Sequence, residues 1–313
     1  FPKSEFEWTG LDWQHFNHDE FEFYDRVNFL KAGIAAADTI TTVSPRYSEE
    51  IRTKEHGCGL EAVLENVADH VFGITNGIDQ SIWNPKTDTK LAANYDLKSW
   101  QPGKLANKRA LQQQFALEQS DEVPMIGLVG RLAEQKGWDL ILPVLRWHLR
   151  ENRPTQWIVL GSGDAQIEQA LRKLKKEHPN RFALHVGFSD LLAHRIEAGA
   201  DIFVMPSHYE PCGLNQLYSL RYGTIPVVTA TGGLADTVID CNNDSLGKET
   251  ATGFHLHTIS PQGLDDAIGR ALHLRYHHPL QWARLIETGM AQDWSWKKSA
   301  MEYESLYAKT LAL

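Results

Sequence analysis

Between residues 125 and 229 the chain alternates short apolar runs with amphipathic stretches. The apolar runs are Met125–Gly130, Trp157–Leu160, Phe182–Val186, Ile202–Met205 and Pro226–Thr229. Each is nearly continuous in hydrophobic residues, which predicts strands buried on both faces. Between two of them, Asp164–Glu177 sets Ile167, Leu171 and Leu174 on one helical face. Strand and helix in alternation predict a parallel sheet covered by helices on both sides. Upstream, the spacing of Val27, Leu30, Ile34 and Ala37 predicts a helix from Asp25. A short strand over Thr39–Val43 leads to a helix start at Ser44-Pro45, and a second, Val71–Thr75, ends at the turn signal Asn76-Gly77. Residues 1–24 are rich in aromatics and acids without a steady period, which predicts a packed surface loop. Residues 79–122 are polar and punctuated by Trp and Pro, the texture of an inter-domain connector. From Ser295 to Leu313, Trp296, Ala300, Tyr303 and Tyr307 recur at helical spacing behind a serine cap, an amphipathic closing helix that needs a partner surface.

Composition narrows the class. At 313 residues, 42% hydrophobic and 23% charged, the chain has the size of two domains, or one and a half. A formal net charge of -9 argues against non-specific nucleic-acid binding. No apolar run approaches the roughly 18 residues of a membrane span. Cys58, Cys212 and Cys241 show no metal spacing and cannot all pair, which predicts a reducing cytoplasm. No basic region followed by an apolar one opens the chain, so export is not expected. The chain opens on Phe1-Pro2 without an initiator Met and reads as the middle of something longer.

Candidate chemistry sits where the apolar runs end. Ile202–Met205 leads into Pro206-Ser207-His208-Tyr209-Glu210-Pro211-Cys212-Gly213-Leu214-Asn215-Gln216, and a helical pattern begins at about Leu214. In open α/β sheets ligands bind outside the carboxyl ends of strands, where helix N-termini offer free N–H groups to anions. A carboxylate there holds sugar hydroxyls and the Cys212–Asn215 amides hold phosphate; the bland alternative is a loop with a helix-capping acid. Arg131 and Lys136, five residues apart across the end of Met125–Gly130, read either as a diphosphate clamp or as two solvated charges. Leu160-Gly161-Ser162-Gly163-Asp164 opens like a dinucleotide fingerprint but lacks the third glycine, which predicts a tight turn capped by Asp164. Gly187-Phe188 follows another strand end, where Phe188 stacks a base or belongs to the core. Gly232-Gly233, in Thr231-Gly232-Gly233-Leu234-Ala235-Asp236-Thr237, allow close backbone approach to a ligand.

In this order the motifs resemble one family. Gly130-Arg131-Leu132, Gln135-Lys136-Gly137, Glu210-Pro211-Cys212-Gly213-Leu214-Asn215-Gln216-Leu217, Arg221-Tyr222-Gly223-Thr224 and Thr231–Thr237 are similar to bacterial glycogen synthase and plant starch synthases. Phe29-Leu30-Lys31-Ala32-Gly33, Thr42-Val43-Ser44-Pro45 and Asn76-Gly77-Ile78-Asp79 with Trp83-Asn84-Pro85 fit as well, so the resemblance spans essentially the whole chain.

The resemblance implies an α/β chain of the GT-B class, two Rossmann-like domains facing across a cleft, the N-terminal one incomplete. It implies the remaining part of the N-terminal domain over 1–78, a connector over 79–122, a nucleotide-sugar-binding domain over 123–290, and a closing helix over 291–313 returning to the first domain. The implied activity is transfer of glucose from ADP-glucose to the non-reducing end of an α-1,4-glucan, with retention, without metal or cofactor. Arg131 and Lys136 would bind the distal phosphate and stabilise the departing ADP, and Glu210 would hold the donor glucose hydroxyls. Amides near Cys212, Gly213, Leu214 and Asn215 would take phosphate and sugar. Phe188, behind Gly187, would pack on adenine, and Asn76 would lie at the cleft by the donor. Two departures stand out. Tyr218 occupies the place of a second glutamate that many retaining GT-B enzymes carry eight residues after the first, a change this branch tolerates. The family's Lys-x-Gly-Gly-Leu loop and its preceding catalytic His are absent, which predicts a fragment or a truncated paralogue. Three rival classes stay open: a non-catalytic ADP-sugar- or glucan-binding module; another GT-B reaction such as a glucan phosphorylase, for which no matching pyridoxal-phosphate lysine is found, or a sugar-nucleotide epimerase; and a purely structural role, which the density of strand-end motifs argues against.

Overall fold

The computed structural model describes residues 1–312, which divide into two compact units. One comprises Phe1–Thr75 together with the residues from Ser299 onward; the other comprises Asn76–Lys298.

In the smaller unit, two 3-10 helices precede a hairpin of β1 (Glu22–Phe23) and β2 (Arg26–Val27). The hairpin turns at Tyr24 and Asp25, both at positive φ (53° and 54°), as a two-residue type I′ connection requires. The helix expected from Asp25 therefore begins later, as α1 (Phe29–Ala36), capped by the Asn28 side chain on the Lys31 N–H. Then follow β3 (Ile40–Thr42), α2 (Pro45–Glu50), α3 (Glu61–Asn66) and β4 (Val71–Gly73). Ser44 caps α2 through the Tyr47 N–H with Pro45 in its first turn, as the Ser-Pro pair predicts. β3 and β4 pair in parallel as a two-stranded sheet.

The larger unit begins with an irregular segment and α4 (Trp100–Gln114). Residues 79–122, expected as a connector, lie within this compact unit. Their polar sequence conceals a packed helix, because α4 docks through buried lysines. Lys104 Nζ donates to Ala198 O at 3.1 Å, Tyr222 O at 3.2 Å and Thr224 Oγ1 at 2.7 Å, and Lys108 pairs with Asp201 at 2.9 Å. Alternation then runs as β5 (Met125–Val129), α5 (Trp138–Arg150), β6 (Gln156–Gly161), α6 (Ala165–Glu177), β7 (Phe182–Val186), α7 (Asp190–Gly199), β8 (Ile202–Met205), α8 (Asn215–Tyr222), β9 (Ile225–Thr229) and α9 (Gly232–Thr237). After α10 (Asn243–Gly247) and the edge strand β10 (Phe254–Leu256) come α11 (Pro261–His277) and α12 (Pro279–Ala291); α13 (Trp296–Thr310) starts in this unit and from Ser299 onward belongs to the smaller one.

The six strands are all parallel, in the order β10-β9-β8-β5-β6-β7. Successive strand residues feed opposite faces. Trp157 and Val159 enter the core beneath α5, α6 and α11, whereas Ile158 and Leu160 enter the one beneath α4, α7 and α9. Two buried faces explain why these strands are apolar throughout. The order reverses between β5 and β8, the place where an open α/β sheet leaves a crevice at its carboxyl edge.

Candidate functional site

A cavity of about 250 Å³ opens at that reversal, between the ends of β5 (Val129) and β8 (Met205). Arg131, Lys136, Ser207, Glu210, Gly213, Leu214 and Asn215 line it, so the two cations, the carboxylate and the start of α8 expected at one site do meet. Gly137 is the reason they can. It sits at φ +76°, and a Cβ there would lie 2.1 Å from Pro206 O, so only glycine lets the β5 and β8 loops touch. Two hydrogen bonds stitch them together, the main-chain one from His208 N–H to Gln135 O at 3.0 Å and one from the Gln135 side-chain Nε2 to Tyr209 O at 2.6 Å. Lys136 Nζ thereby reaches Glu210 Oε2 at 2.5 Å, and Ser207 Oγ donates to the same oxygen at 3.1 Å. The Arg131 guanidinium is exposed and donates to Gln135 Oε1 at 3.0 Å.

Behind the cavity the β9 loop holds the β8 loop. Cβ atoms on Gly232 and Gly233 would lie 2.1 Å from Glu210 O and 1.9 Å from Cys212 O, and Gly233 N–H donates to Glu210 O at 3.0 Å. Gln216, fully buried, donates through Nε2 to Cys212 O, Gly213 O and Thr237 Oγ1 at 2.9–3.1 Å. Asn215 Nδ2 ties the start of α8 to Val129 O at 2.7 Å. No side chain caps α8. Its first-turn amides therefore face the cavity without a resident acceptor of that kind, beside two cations: a place for an anion.

The other expected residues stand around this cavity rather than in it. Gly232 and Gly233 act from behind. Cys212 is buried; burial pushes its thiol up, and the thiol accepts from the Asn76 N–H, so Asn76 touches the site through main chain. Phe188 is 90% exposed just beyond β7, following Gly187 at φ +125°, and so is not a core residue. Three contributors escaped sequence reasoning: Ser207, Gln135 and Gln216 each lie inside a quoted motif, but only the fold reveals which atoms they bond. Asp164 caps α6 through the Gln166 and Ile167 N–H groups, as the glycine-poor turn predicted. Among the described residues no group of three His, Cys, Asp or Glu is arranged to hold a metal, and no helix is long and apolar enough to cross a membrane.

Residues 1–66 match the starch synthase catalytic domain family, and residues 111–288 match the glycosyl transferases group 1 family. A glycogen synthase from Rhodopirellula baltica is 58% identical over 308 residues, which is 98% of this chain and 61% of that protein. One from Anaeromyxobacter dehalogenans is 50% identical over 312 residues, 100% of this chain and 64% of its own length. The chain thus spans between three fifths and two thirds of these curated relatives. The catalytic domain of starch synthase IV from Arabidopsis thaliana, solved bound to ADP and acarbose, matches with TM-score 0.91 at 36% identity, over 100% of this chain and 64% of that one. A sucrose-phosphate synthase from Thermosynechococcus elongatus shares the fold, with TM-score 0.60 at 21% identity over 91% of this chain and 61% of its own.

Proposed function

Because the chain belongs to the glycosyl transferases group 1, in the glycogen and starch synthase family, we propose that its cavity binds ADP-glucose and that the protein it represents transfers glucose to the non-reducing end of an α-1,4-glucan with retention. The observation that carries this reading is the meeting of Lys136 and Glu210 at the uncapped start of α8. Each group has a share in the chemistry. Breaking the bond between the anomeric carbon and its phosphate oxygen concentrates negative charge on departing ADP. Arg131, Lys136 and the α8 amides would stabilise that charge, Lys136 by sharing its ammonium between Glu210 and the phosphate. Glu210, largely buried, accepts donor-sugar hydroxyls and fixes the face that the acceptor approaches. Phe188, exposed beside the carboxyl edge of the sheet, offers its ring to adenine. The ADP and acarbose named with the Arabidopsis starch synthase support a nucleotide donor and a glucan-like acceptor. We assign the site no metal and no organic cofactor, since this chemistry needs only charge stabilisation and orientation.

A second reading, ADP-sugar binding without transfer, is favoured by the lining of the cavity, all of which comes from the larger unit. One experiment separates the two: incubation with ADP-glucose and maltotetraose, read by mass spectrometry, with calorimetry of ADP binding in parallel. Growth in single glucose steps supports the transferase. ADP binding without growth supports the binding module, and neither result together with a folded chain overturns both.

A further inference from the structure

The segment from Asn76 to Asp88 has almost no regular structure, yet it follows α8 along its whole length. The Asn76 N–H meets the Cys212 thiol just before the helix. Trp83 stacks on Tyr218 at its middle, with centroids 3.6 Å apart and planes 8° from parallel. Asn84 Oδ1 accepts from Arg221 at 3.4 Å, and Asp88 Oδ2 accepts from the Tyr222 hydroxyl at 2.7 Å at its end. The other face of Trp83 stacks on His194 of α7, at 3.7 Å and 11°, so the indole is clamped on both sides. His194 is itself fixed. The Lys90 ammonium can only donate, so at 3.0 Å His194 Nε2 accepts, and Nδ1 carries the hydrogen given to Asp88 Oδ2 at 2.6 Å. The segment is also anchored away from α8, by Ile78 N–H on Trp294 O at 2.7 Å.

We infer that Trp83 is a positioning residue for the cavity, holding α8 in the place from which Leu214 and Asn215 face the ligand. α8 is eight residues long and has no side-chain N-cap, so its placement depends on lateral contacts. Tyr218 lies one helical turn from Asn215, and these two share a side of α8. A shift of the helix at Tyr218 therefore moves Asn215 away from Val129 O and turns the first-turn amides from the cavity. The ring at 218 also explains what replaces a second carboxylate there: a flat surface for the indole. The ligand part of this inference rests on the donor-site reading above; the positioning part does not.

The test keeps those parts distinct. Hydrogen–deuterium exchange of the amides from 212 to 222, without ligand, is compared in the parent, W83A and W83F. ADP affinity is then measured by calorimetry well below each melting temperature. W83A is expected to speed exchange at 212–222 while leaving β6 protected, and to weaken ADP binding by between about ten- and a hundredfold. W83F, which keeps a stacking ring, is expected to restore most of both. Unchanged exchange at 212–222 in W83A overturns the inference, as does acceleration spread evenly over the larger unit or a W83F as defective as W83A. If exchange changes as expected while the parent binds no ADP, positioning stands and the donor-site reading falls.

Discussion

Replacing Glu210 by glutamine separates the two tasks proposed for the cavity. Lys136 is engaged with Glu210 at 2.5 Å, with side chains 26% and 9% exposed. An incoming phosphate must share that ammonium. Exposed ion pairs are worth about 0.2–1 kcal/mol, and truncating one partner of a fully buried pair costs about 3–5 kcal/mol. A pair with one buried and one partly exposed member falls between, at about 1–2 kcal/mol, which is roughly five- to thirtyfold in affinity. E210Q preserves shape and the Ser207 hydrogen bond while freeing Lys136. Its ADP affinity should therefore be unchanged or up to about thirtyfold tighter. K136A removes a charge-assisted contact and should weaken ADP by about 1.5–3 kcal/mol, roughly ten- to 150-fold. Because the Glu210 effect acts through Lys136, the double variant should bind like K136A, not like the sum of both changes. Glucose transfer should fall in E210Q by about 10²–10³, the usual cost of removing one preorganised partner of the reacting group. Calorimetry with ADP and a glucan-extension assay read both quantities. An E210Q that loses as much ADP affinity as K136A, or an additive double variant, would refute the reasoning and make Glu210 a scaffold for the loop.

F188A should weaken ADP by about 1–3 kcal/mol through lost base stacking and leave the melting temperature unchanged; equal affinity in calorimetry removes the ring from the donor site. G233A places a Cβ 1.9 Å from Cys212 O and should abolish ADP binding with a melting point several degrees lower, whereas G269A, with open space around its Cβ in α11, should melt no lower than the parent. Glu197, buried beneath α8 and accepting from Ser219 Oγ at 2.7 Å, has its carboxyl pushed by burial from 4.5 up to about 8. The native state then binds the proton more tightly than the unfolded chain, so stability should decline as pH rises from about 4.5 to about 8. E197Q should flatten that part of the profile in thermal melts between pH 4 and 9, and an unchanged slope contradicts the assignment.

The central sheet was legible because its strands are buried on both faces and hence apolar without interruption; Phe182–Val186 and Ile202–Met205 emerge with the bounds the pattern predicts. β10 was not, since three residues on an edge give no period, and neither was α4, whose docking depends on Lys104 and Lys108 rather than on an apolar stripe. The β1–β2 turn was missed because Tyr24-Asp25 is not a typical pair for two successive positive φ angles. At the site, residue types were readable and partners were not. Arg131 and Lys136 looked equivalent, yet one ends on Gln135 and the other on Glu210, a difference made by the path of the loop through Gly137.

The glycine contacts at 137, 232 and 233 also bear on how this unit folds. Through them the β8 loop is held on one side by the β5 loop and on the other by the β9 loop, so its shape exists only once β5, β8 and β9 are side by side. These pairings join residues far apart in sequence and form late, after the chain has closed large loops. By that order of events the proposed nucleotide site exists only once the native strand pairings are in place. Added ADP should therefore lengthen the lifetime of the native state by lowering the unfolding rate, while refolding from denaturant proceeds at the same speed with or without it.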